Sequence, residues 1–115
     1  MTTYLVVARD DPKDFQGLSP EEIQAIIERY KTWSRKVSQA VTNMQGNKLR
    51  NREGRVLRGK GEGLRVTDGP YSETKEVIGG YWLIEAESYD RIIDLVKGCP
   101  HLDFGTLEIR AIEDV

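Results

Sequence analysis

The connection between Thr67 and Trp82 concentrates side chains that could carry out acid–base chemistry. It reads TDGPYSETKEVIGGYW and holds Asp68, Glu73 and Lys75 between a turn signal and a glycine pair. Either carboxylate could exchange a proton with a carbonyl or hydroxy compound, and Lys75 could hold an anionic substrate group as a point charge. The alternative is a tight turn followed by a solvated charged surface, which requires no ligand.

His101 is the only histidine of the chain, and histidine is the side chain that gains and loses a proton near neutral pH. It is therefore the predicted general acid or base, together with Asp68 and Glu73. His101 also follows the end of a predicted helix, where a positive charge would simply favour the negative end of the helix dipole. Cys99 is expected to be a buried structural thiol. One histidine and one cysteine are too few for a zinc site built on several histidines or paired cysteines, so no metal and no cofactor are predicted.

Two arginines occupy positions in predicted strands. Arg9 could point into a pocket and hold a carboxylate or an enolate with its planar guanidinium group. For Arg110 we favour an exposed charge at a sheet edge, where it discourages pairing with another strand.

Charge and composition limit the partners of the chain. The 115 residues are 38% hydrophobic and 31% charged, which suits one soluble globular domain over residues 1–115. The net charge of −2 provides no general attraction to nucleic acid or anionic lipid. The exception is the segment 48–65, where only Glu53 and Glu62 oppose seven cations, namely Lys48, Arg50, Arg52, Arg55, Arg58, Lys60 and Arg65. Because no aromatic residue interleaves with them, a solubilising hairpin is favoured over a nucleic-acid-binding segment.

The first residues, MTTYLVVARDD, are neither a signal peptide nor a membrane span, because their apolar run is short and no basic region precedes it. A single cysteine agrees with a reducing compartment. A cytoplasmic location is therefore expected, without a membrane partner.

Two helices are predicted from capping signals. Ser19 and Glu22 form a capping box around Pro20, so the first helix begins there. Ser88 caps the second helix, and Gly98 ends it. Each helix has an apolar stripe that is expected to be buried: Ile23, Ile26, Ile27, Tyr30, Trp33, Val37, Ala40 and Val41 in the first, and Tyr89, Ile92, Ile93 and Val96 in the second.

Strands and a β-hairpin complete the predicted fold. The stretches RVLRG and GLRVTDG lie on either side of a glycine-rich turn and predict the hairpin. Strands are predicted over Thr3–Arg9, Gly79–Ala86 and Thr106–Ile112, with a short extended piece around Lys48–Arg50. This order predicts the α+β class, specifically a ferredoxin-like antiparallel sheet with both helices on one face and a β-hairpin insertion.

The second face of the predicted sheet is also apolar. Tyr4, Val6, Trp82 and Ile84 alternate with apolar neighbours, whereas two helices on one face cover only one set of these side chains. A contiguous apolar patch is rare on a soluble monomer, so the sequence predicts a homodimer that buries this face.

With these residues assembled, the sequence resembles the YCII-related family and, within it, the branch called DGPF proteins. VTDGPYSETKEVIGGYWLIEAES matches the signature of that branch, with Tyr71 where the branch name records phenylalanine. LSPEEIQAIIERYKTW and CPHLDFGTLEIRAI are similar to the first helix and the closing segment of the family. The resemblance implies a dimeric α/β barrel made of two ferredoxin-like units. One relative resembles a dehydrochlorinase of chlorinated hydroxyquinols, and a His and Asp pair is proposed as acid and base in others.

Two functions from different classes are consistent with these residues. The first is a small-molecule enzyme, in which Asp68, Glu73 and His101 surround a pocket between the sheet and the first helix and the Asp68 carboxylate faces inward. The second is a non-catalytic ligand-binding or regulatory dimer, in which the DGPY turn and the basic hairpin recognise a metabolite or a protein. The resemblance adds to the second hypothesis, since DGPF proteins often occur alongside extracytoplasmic-function sigma factors. The predicted ligand-binding residues are Arg9, Tyr71 and Lys75.

Overall fold

The elements follow one another as strand, helix, strand, hairpin, strand, helix and strand. The structure is a computed structural model that describes residues 1–11, 13, 16–69 and 77–114. Within these ranges the strands are β1 (Thr2–Asp10), β2 (Met44–Lys48), β3 (Arg55–Arg58), β4 (Arg65–Asp68), β5 (Val77–Ala86) and β6 (Thr106–Ala111), and the helices are α1 (Pro20–Ala40) and α2 (Tyr89–Val96). Neither of these helices is long and apolar enough to cross a membrane.

One antiparallel sheet of four strands organises the chain. Its strand order is β2, β5, β1, β6, so β1 and β5 are central and β2 and β6 form the edges. Among the residues that the structure describes, β3 and β4 pair only with each other, in a separate two-stranded sheet that is inserted along the chain between β2 and β5. This is the strand order of the ferredoxin-like fold with a hairpin insertion, and the predicted α+β class is confirmed.

The core lies between the sheet and the two helices. Val6 and Ile84 of the central strands are fully buried, and they share one cluster with Trp33 of α1 and Ile92 of α2. Both helices therefore pack on the same face of the sheet. Alternate residues on each strand point to the opposite face.

The opposite face carries an apolar centre. Leu5 lies across from Leu83, and Val7 lies across from Tyr81. On the neighbouring strand, Glu108 lies opposite Val7. The sheet therefore has a central apolar patch on its helix-free side, as the sequence predicts.

The capping box of α1 forms as predicted, but the expected burial of its apolar stripe is wrong for half of the helix. The Glu22 amide donates to Ser19 Oγ at 3.1 Å, and the Ser19 amide donates to Glu22 Oε1 at 3.2 Å. Ile23 and Ile27 are nevertheless 42% and 40% exposed, and the expectation is also wrong for Tyr89 and Ile93 of α2, which are 48% and 46% exposed. Only the second half of α1 reaches the core. The sequence does not reveal this, because periodicity identifies an apolar face but not the length over which a sheet covers it.

The short strand predicted around Lys48–Arg50 is displaced, since β2 covers Met44–Lys48. Gly46 occupies a position of β2 that faces the core, directly across from Trp82. A Cβ atom at Gly46 would lie 3.0 Å from Trp82 Cγ and 2.8 Å from the Tyr81 carbonyl oxygen. Glycine is therefore required there, and the strand has no alternation of apolar residues that a sequence pattern could detect.

Candidate functional site

His101 is buried at the end of the sheet where β1 finishes and β6 begins. Its side chain is 4% exposed, and its ring Nε2 lies 2.8 Å from the backbone carbonyl oxygen of Arg9. It belongs to a 3₁₀ turn, Pro100–Asp103, that follows α2. The amides of Phe104 and Gly105 both donate to the His101 carbonyl at 2.9 Å, so the backbone of this turn is held in place.

The hydrogen bonds of His101 fix its tautomer. A carbonyl oxygen can only accept, so Nε2 must carry a proton and donate it to Arg9. In the neutral ring Nδ1 is then the acceptor, and the Tyr30 hydroxyl lies 3.0 Å from it. Tyr30 therefore donates to His101, and the Arg9 carbonyl orients the ring from the other side.

Tyr30 keeps its proton at neutral pH. Burial raises the pKa of the Tyr30 phenol far above its ordinary value, and Cys99 and Asp10 act in the same direction. Asp103 adds to this effect, whereas Arg29 opposes it. When the His101 ring is neutral, the site thus contains a phenol hydroxyl bonded to the free lone pair of the imidazole.

Two glycines allow the polar groups of this region to approach closely. A Cβ atom at Gly105 would lie against the Arg9 carbonyl and 2.9 Å from His101 Nε2. A Cβ atom at Gly79 would lie 2.9 Å from Asp10 Oδ1. The contacts around His101 and Asp10 therefore depend on the absence of side chains at these two positions.

Cys99 precedes the turn that holds His101 and is a buried thiol, as predicted. It is 3% exposed, and burial raises the pKa of its thiol to about 11. The backbone amide of His101 acts in the opposite direction through a hydrogen bond to the sulfur. Because the thiol stays protonated at neutral pH, it is a poor nucleophile in the resting protein.

The raised pKa of Cys99 predicts a loss of stability in alkaline solution. The unfolded thiol ionises at its ordinary value of 9.0 and the folded thiol at about 11, so the unfolded state releases its proton first as the pH rises. The contribution is complete below pH 9.0 and falls by roughly 2 to 3 kcal/mol as the pH approaches 11. We expect urea unfolding at pH 8 and at pH 11 to show a wild-type advantage over Cys99→Ala that shrinks by this amount. A difference between the two proteins that does not change with pH would contradict the prediction.

Arg9 and His101, both predicted site residues, meet through the backbone of Arg9. The Arg9 guanidinium itself pairs with Glu108, with Nη2 3.3 Å from Oε1, and is 36% exposed. Its partner Glu108 lies on the edge strand β6. The Arg9 carbonyl thus accepts a hydrogen bond from His101, whereas the Arg9 guanidinium forms an ion pair with Glu108.

Asp68 does not face inward, so that expectation is wrong. Its side chain is 92% exposed at the end of β4, where Oδ1 lies 3.5 Å from Nη1 of Arg55. The reason is that β3 and β4 form their own two-stranded sheet, so a residue at the end of β4 does not line the core. Tyr71, Glu73 and Lys75 lie outside the described residues. Val77, which follows them, pairs with Asp10 at the end of β1.

Tyr30 and Gly105 belong to the site although sequence reasoning does not single them out. The helical period places Tyr30 in the apolar stripe of the first helix and assigns no role to its hydroxyl. The one signal is that Tyr30 is the single phenol in a stripe whose other members are aliphatic residues and a tryptophan. A half-buried phenol requires a hydrogen-bond partner. Gly105 has no such signal, since the Arg9 carbonyl that it approaches belongs to the end of another strand.

A groove of about 310 Å³ lies at the other end of the sheet, between the ends of α1 and β5 and the helix α2. Its polar and charged lining residues include Gln39, Thr42, Glu85, Glu87 and Arg91. None of the predicted site residues that the structure describes lies in it. Among the described residues, no group of three His, Cys, Asp or Glu side chains could hold a metal ion.

Comparison with known proteins identifies the family. The YCII-related domain matches residues 2–115. The chain belongs to the YCII-related family. Among solved structures, this YCII-related chain is similar to the protein At3g17210 from Arabidopsis thaliana, with 11% sequence identity and a TM-score of 0.45 over 100% of this chain and 96% of that one. The curated proteins contain no match to the chain.

Proposed function

We propose that this YCII-related protein is an enzyme that moves a proton to or from a small hydroxy or carbonyl compound. In this proposal Tyr30 contacts the substrate and His101 receives the proton. The observation that carries it is the separation of 3.0 Å between the Tyr30 hydroxyl and Nδ1 of a ring whose Nε2 is already bonded to a carbonyl. A proton donor, a base and a group that orients the base are the three parts of an activated acid–base pair.

The proton would move in two linked transfers. The substrate hydroxyl, or an acidic C–H next to a carbonyl, gives its proton to the Tyr30 oxygen, and the Tyr30 proton passes to Nδ1 of His101. The substrate keeps the electron pair as an alkoxide or enolate, and His101 becomes an imidazolium. The reverse transfers return a proton to the product, so the pair acts as base and then as acid.

The hydrogen bonds of the site fit both charge states of His101. In the imidazolium, Nε2 still donates to the Arg9 carbonyl, and the new Nδ1 proton is donated to the Tyr30 oxygen. No bond to the ring is lost when the proton arrives. An unsatisfied buried donor would cost about 1 to 3 kcal/mol, and the charged ring avoids this cost because both of its N–H groups keep a partner.

The segment that contains Tyr71, Glu73 and Lys75 would supply the substrate contacts. It joins the described part of the chain at Val77, which lies opposite Asp10, and Asp10 acts on the pKa of Tyr30. We therefore propose Lys75 and Tyr71 as ligand-binding residues and Glu73 as a further acid–base group beside Tyr30 and His101. The exposed Asp68 has no part in the proposed relay.

Hydrogen exchange on candidate substrates tests the proposal even when the product is unidentified. The protein would be incubated in D₂O with a panel of small 2-oxo and 2-hydroxy acids, and loss of the ¹H signal next to the carbonyl would be followed by NMR. We expect catalysed exchange for at least one compound, saturating with its concentration. A panel in which some compounds bind and raise the melting temperature while none exchanges would contradict catalysis.

Binding without hydrogen exchange would support the alternative function, that of a non-catalytic ligand-binding protein. The observation that favours this alternative is the burial of His101, which is 4% exposed and has both ring nitrogens in hydrogen bonds within the chain. In a binding protein these bonds would serve to hold the turn in place. His101 would then be a structural residue beneath a ligand site formed by other groups.

We also propose that the protein is a homodimer that buries the helix-free face of the sheet. Leu5, Val7, Tyr81 and Leu83 form the apolar centre of this face, with Arg9 and Glu108 near its margin. Introducing a charge at its centre, as in Leu5→Asp, should convert a dimer into a monomer in sedimentation velocity. Ile93→Asp on α2, where the side chain is 46% exposed on the helix side, is the matched control and should remain dimeric. A monomeric wild-type protein would refute this interface.

A further inference from the structure

Trp33 carries a buried hydrogen-bond donor that has no acceptor in the described part of the chain. The side chain of Trp33 is 8% exposed, and its indole nitrogen Nε1 lies within hydrogen-bond distance of none of the described acceptors. Buried polar groups in proteins are almost always paired, because an unpaired donor has given up its bond to water and gained nothing in return. The donor at Trp33 therefore indicates an acceptor that binds from outside the chain.

The ring of Trp82 is at best a weak substitute for such an acceptor. It meets the Trp33 ring edge to face, with the ring centroids 5.1 Å apart and the planes at 76°. The face of an aromatic ring accepts an N–H group only weakly, whereas a carbonyl or enolate oxygen forms a full hydrogen bond. An oxygen atom brought to the Trp33 nitrogen would therefore be preferred to the ring.

Trp33 lies on the same face of α1 as the phenol of the proposed acid–base pair. Tyr30 and Trp33 are three residues apart in the helix, so their side chains are neighbours. Side chains of a helix lean toward its amino end, which directs the Trp33 ring toward the turn that holds Tyr30. Tyr30 also packs against the core cluster to which Trp33 belongs. The indole donor and the phenol hydroxyl thus belong to one region between α1 and the sheet.

The central strands carry their smallest inward side chains at this end of the sheet. Ala8 of β1 and Gly80 of β5 lie directly across from each other, two positions along from the pair formed by Val6 and Trp82. By strand alternation they face the helices, as Val6 and Trp82 do. The next residue, Arg9, holds the carbonyl that orients the proposed base. A small molecule between α1 and the sheet would therefore meet the least side-chain bulk beside the acid–base pair.

We infer that the Trp33 indole N–H is a catalytic donor to the substrate oxygen, which makes the substrate an enolisable carbonyl compound. The inference rests on the proposed function and adds the group that stabilises the negative charge formed during the reaction. The proton on the carbon next to the carbonyl passes to the Tyr30 oxygen, and the Tyr30 proton passes to His101. The electron pair of the broken C–H bond forms a C=C bond, the carbonyl π pair moves onto oxygen, and Trp33 donates to this enolate oxygen. A donor that is fixed before the charge forms is the most effective kind.

The indole signals of the two tryptophans test the inference on the wild-type protein. Because the chain contains two tryptophans, its ¹⁵N spectrum has two indole N–H signals, which Trp82→Phe assigns. The protein is titrated with pyruvate, acetoacetate, acetylacetone and glyceraldehyde, and each compound is also followed in the D₂O exchange assay. We expect at least one compound to move the Trp33 indole proton downfield, as a new hydrogen bond to oxygen does, and to move the Trp82 signal less. If none of the four moves the Trp33 signal, the inference is overturned.

The two assays separate the failure of this inference from the failure of the proposed function. A compound that exchanges hydrogen without moving the Trp33 signal would support the acid–base pair and overturn Trp33 as the donor. A compound that moves the Trp33 signal without exchanging hydrogen would support Trp33 as the donor to the ligand and contradict the proposed catalysis.

Substitution of each tryptophan measures the contribution of the donor to the rate. Trp33→Phe removes the N–H group and should lower the maximal exchange rate about 100-fold or more, the loss found when one donor to an oxyanion is removed. Trp82→Phe is the matched control, since it alters the same aromatic pair, leaves the Trp33 N–H in place and should retain most of the rate. Equal losses in the two variants would overturn the inference. Circular dichroism establishes that both are folded at the assay temperature, and the titration of the wild-type protein decides the inference if Trp33→Phe does not fold.

Discussion

Tyr30→Phe should lower catalysed hydrogen exchange by about 100-fold to 10,000-fold, the range contributed by a positioned acid or base. The change removes one oxygen atom and retains the ring that packs beside His101, where the ring centroids are 6.5 Å apart. His101 Nδ1 then has no hydroxyl at 3.0 Å through which a substrate proton could reach it. Rates would be measured by NMR in D₂O on the most active compound of the panel, at several concentrations, so that the maximal rate and the half-saturating concentration separate.

Tyr89→Phe is the matched control for this prediction. Its hydroxyl also makes one hydrogen bond, accepting from the Ala111 amide at 2.9 Å, but it lies away from His101 on α2. Removing that bond should cost on the order of 1 kcal/mol of stability and leave the exchange rate unchanged. If Tyr30→Phe exchanges hydrogen as fast as Tyr89→Phe, the proton does not pass through Tyr30. A rise in half-saturating concentration alone would show that Tyr30 only binds the ligand.

Gly105→Ala should destabilise the fold by roughly 3 kcal/mol or more, because it combines overpacking with the loss of a buried hydrogen bond. The new methyl group would lie against the Arg9 carbonyl and 2.9 Å from His101 Nε2. Either β1 and the turn separate or the ring rotates, and in both cases the bond between His101 and Arg9 is lost. Urea unfolding monitored by circular dichroism measures the change in free energy.

Gly98→Ala is the control, since a Cβ atom at that glycine meets nothing within 4 Å. Gly98 lies just after α2, seven residues before Gly105 in the same connection, and Gly98→Ala adds the same methyl group. Its effect on the free energy of unfolding should stay within about 1 kcal/mol. If the two substitutions change the free energy of unfolding equally, the structure accommodates the methyl group at residue 105 without losing stability.

The parts of the fold that could be predicted are those specified by residues close together in the sequence. The capping box at Ser19 and the cap at Ser88 involve residues three positions apart, and both form. The hairpin follows from apolar stretches beside a glycine-rich turn, and the structure contains it. β2 could not be located because its central inward position, Gly46, is a glycine required by the bulk of Trp82 on the neighbouring strand.

The candidate site depends on contacts between distant parts of the chain, and these are only partly predictable. His101 can be selected because it is the single histidine. Its partners are 71 residues away at Tyr30 and 92 residues away at Arg9, and no local pattern joins them. Asp68 stands out in the sequence through an unusual turn, but turn chemistry says nothing about which sheet the turn belongs to.

The packing of Trp33 on Trp82 gives the protein an internal optical probe. The two rings meet edge to face, 5.1 Å apart at 76°, and they are the only tryptophans of the chain. The Trp33 indole nitrogen is also buried without a hydrogen-bond partner among the described residues. All tryptophan fluorescence therefore originates where α1 meets the sheet, and a partly folded state with the sheet formed but this helix detached would be visible as a red shift in emission.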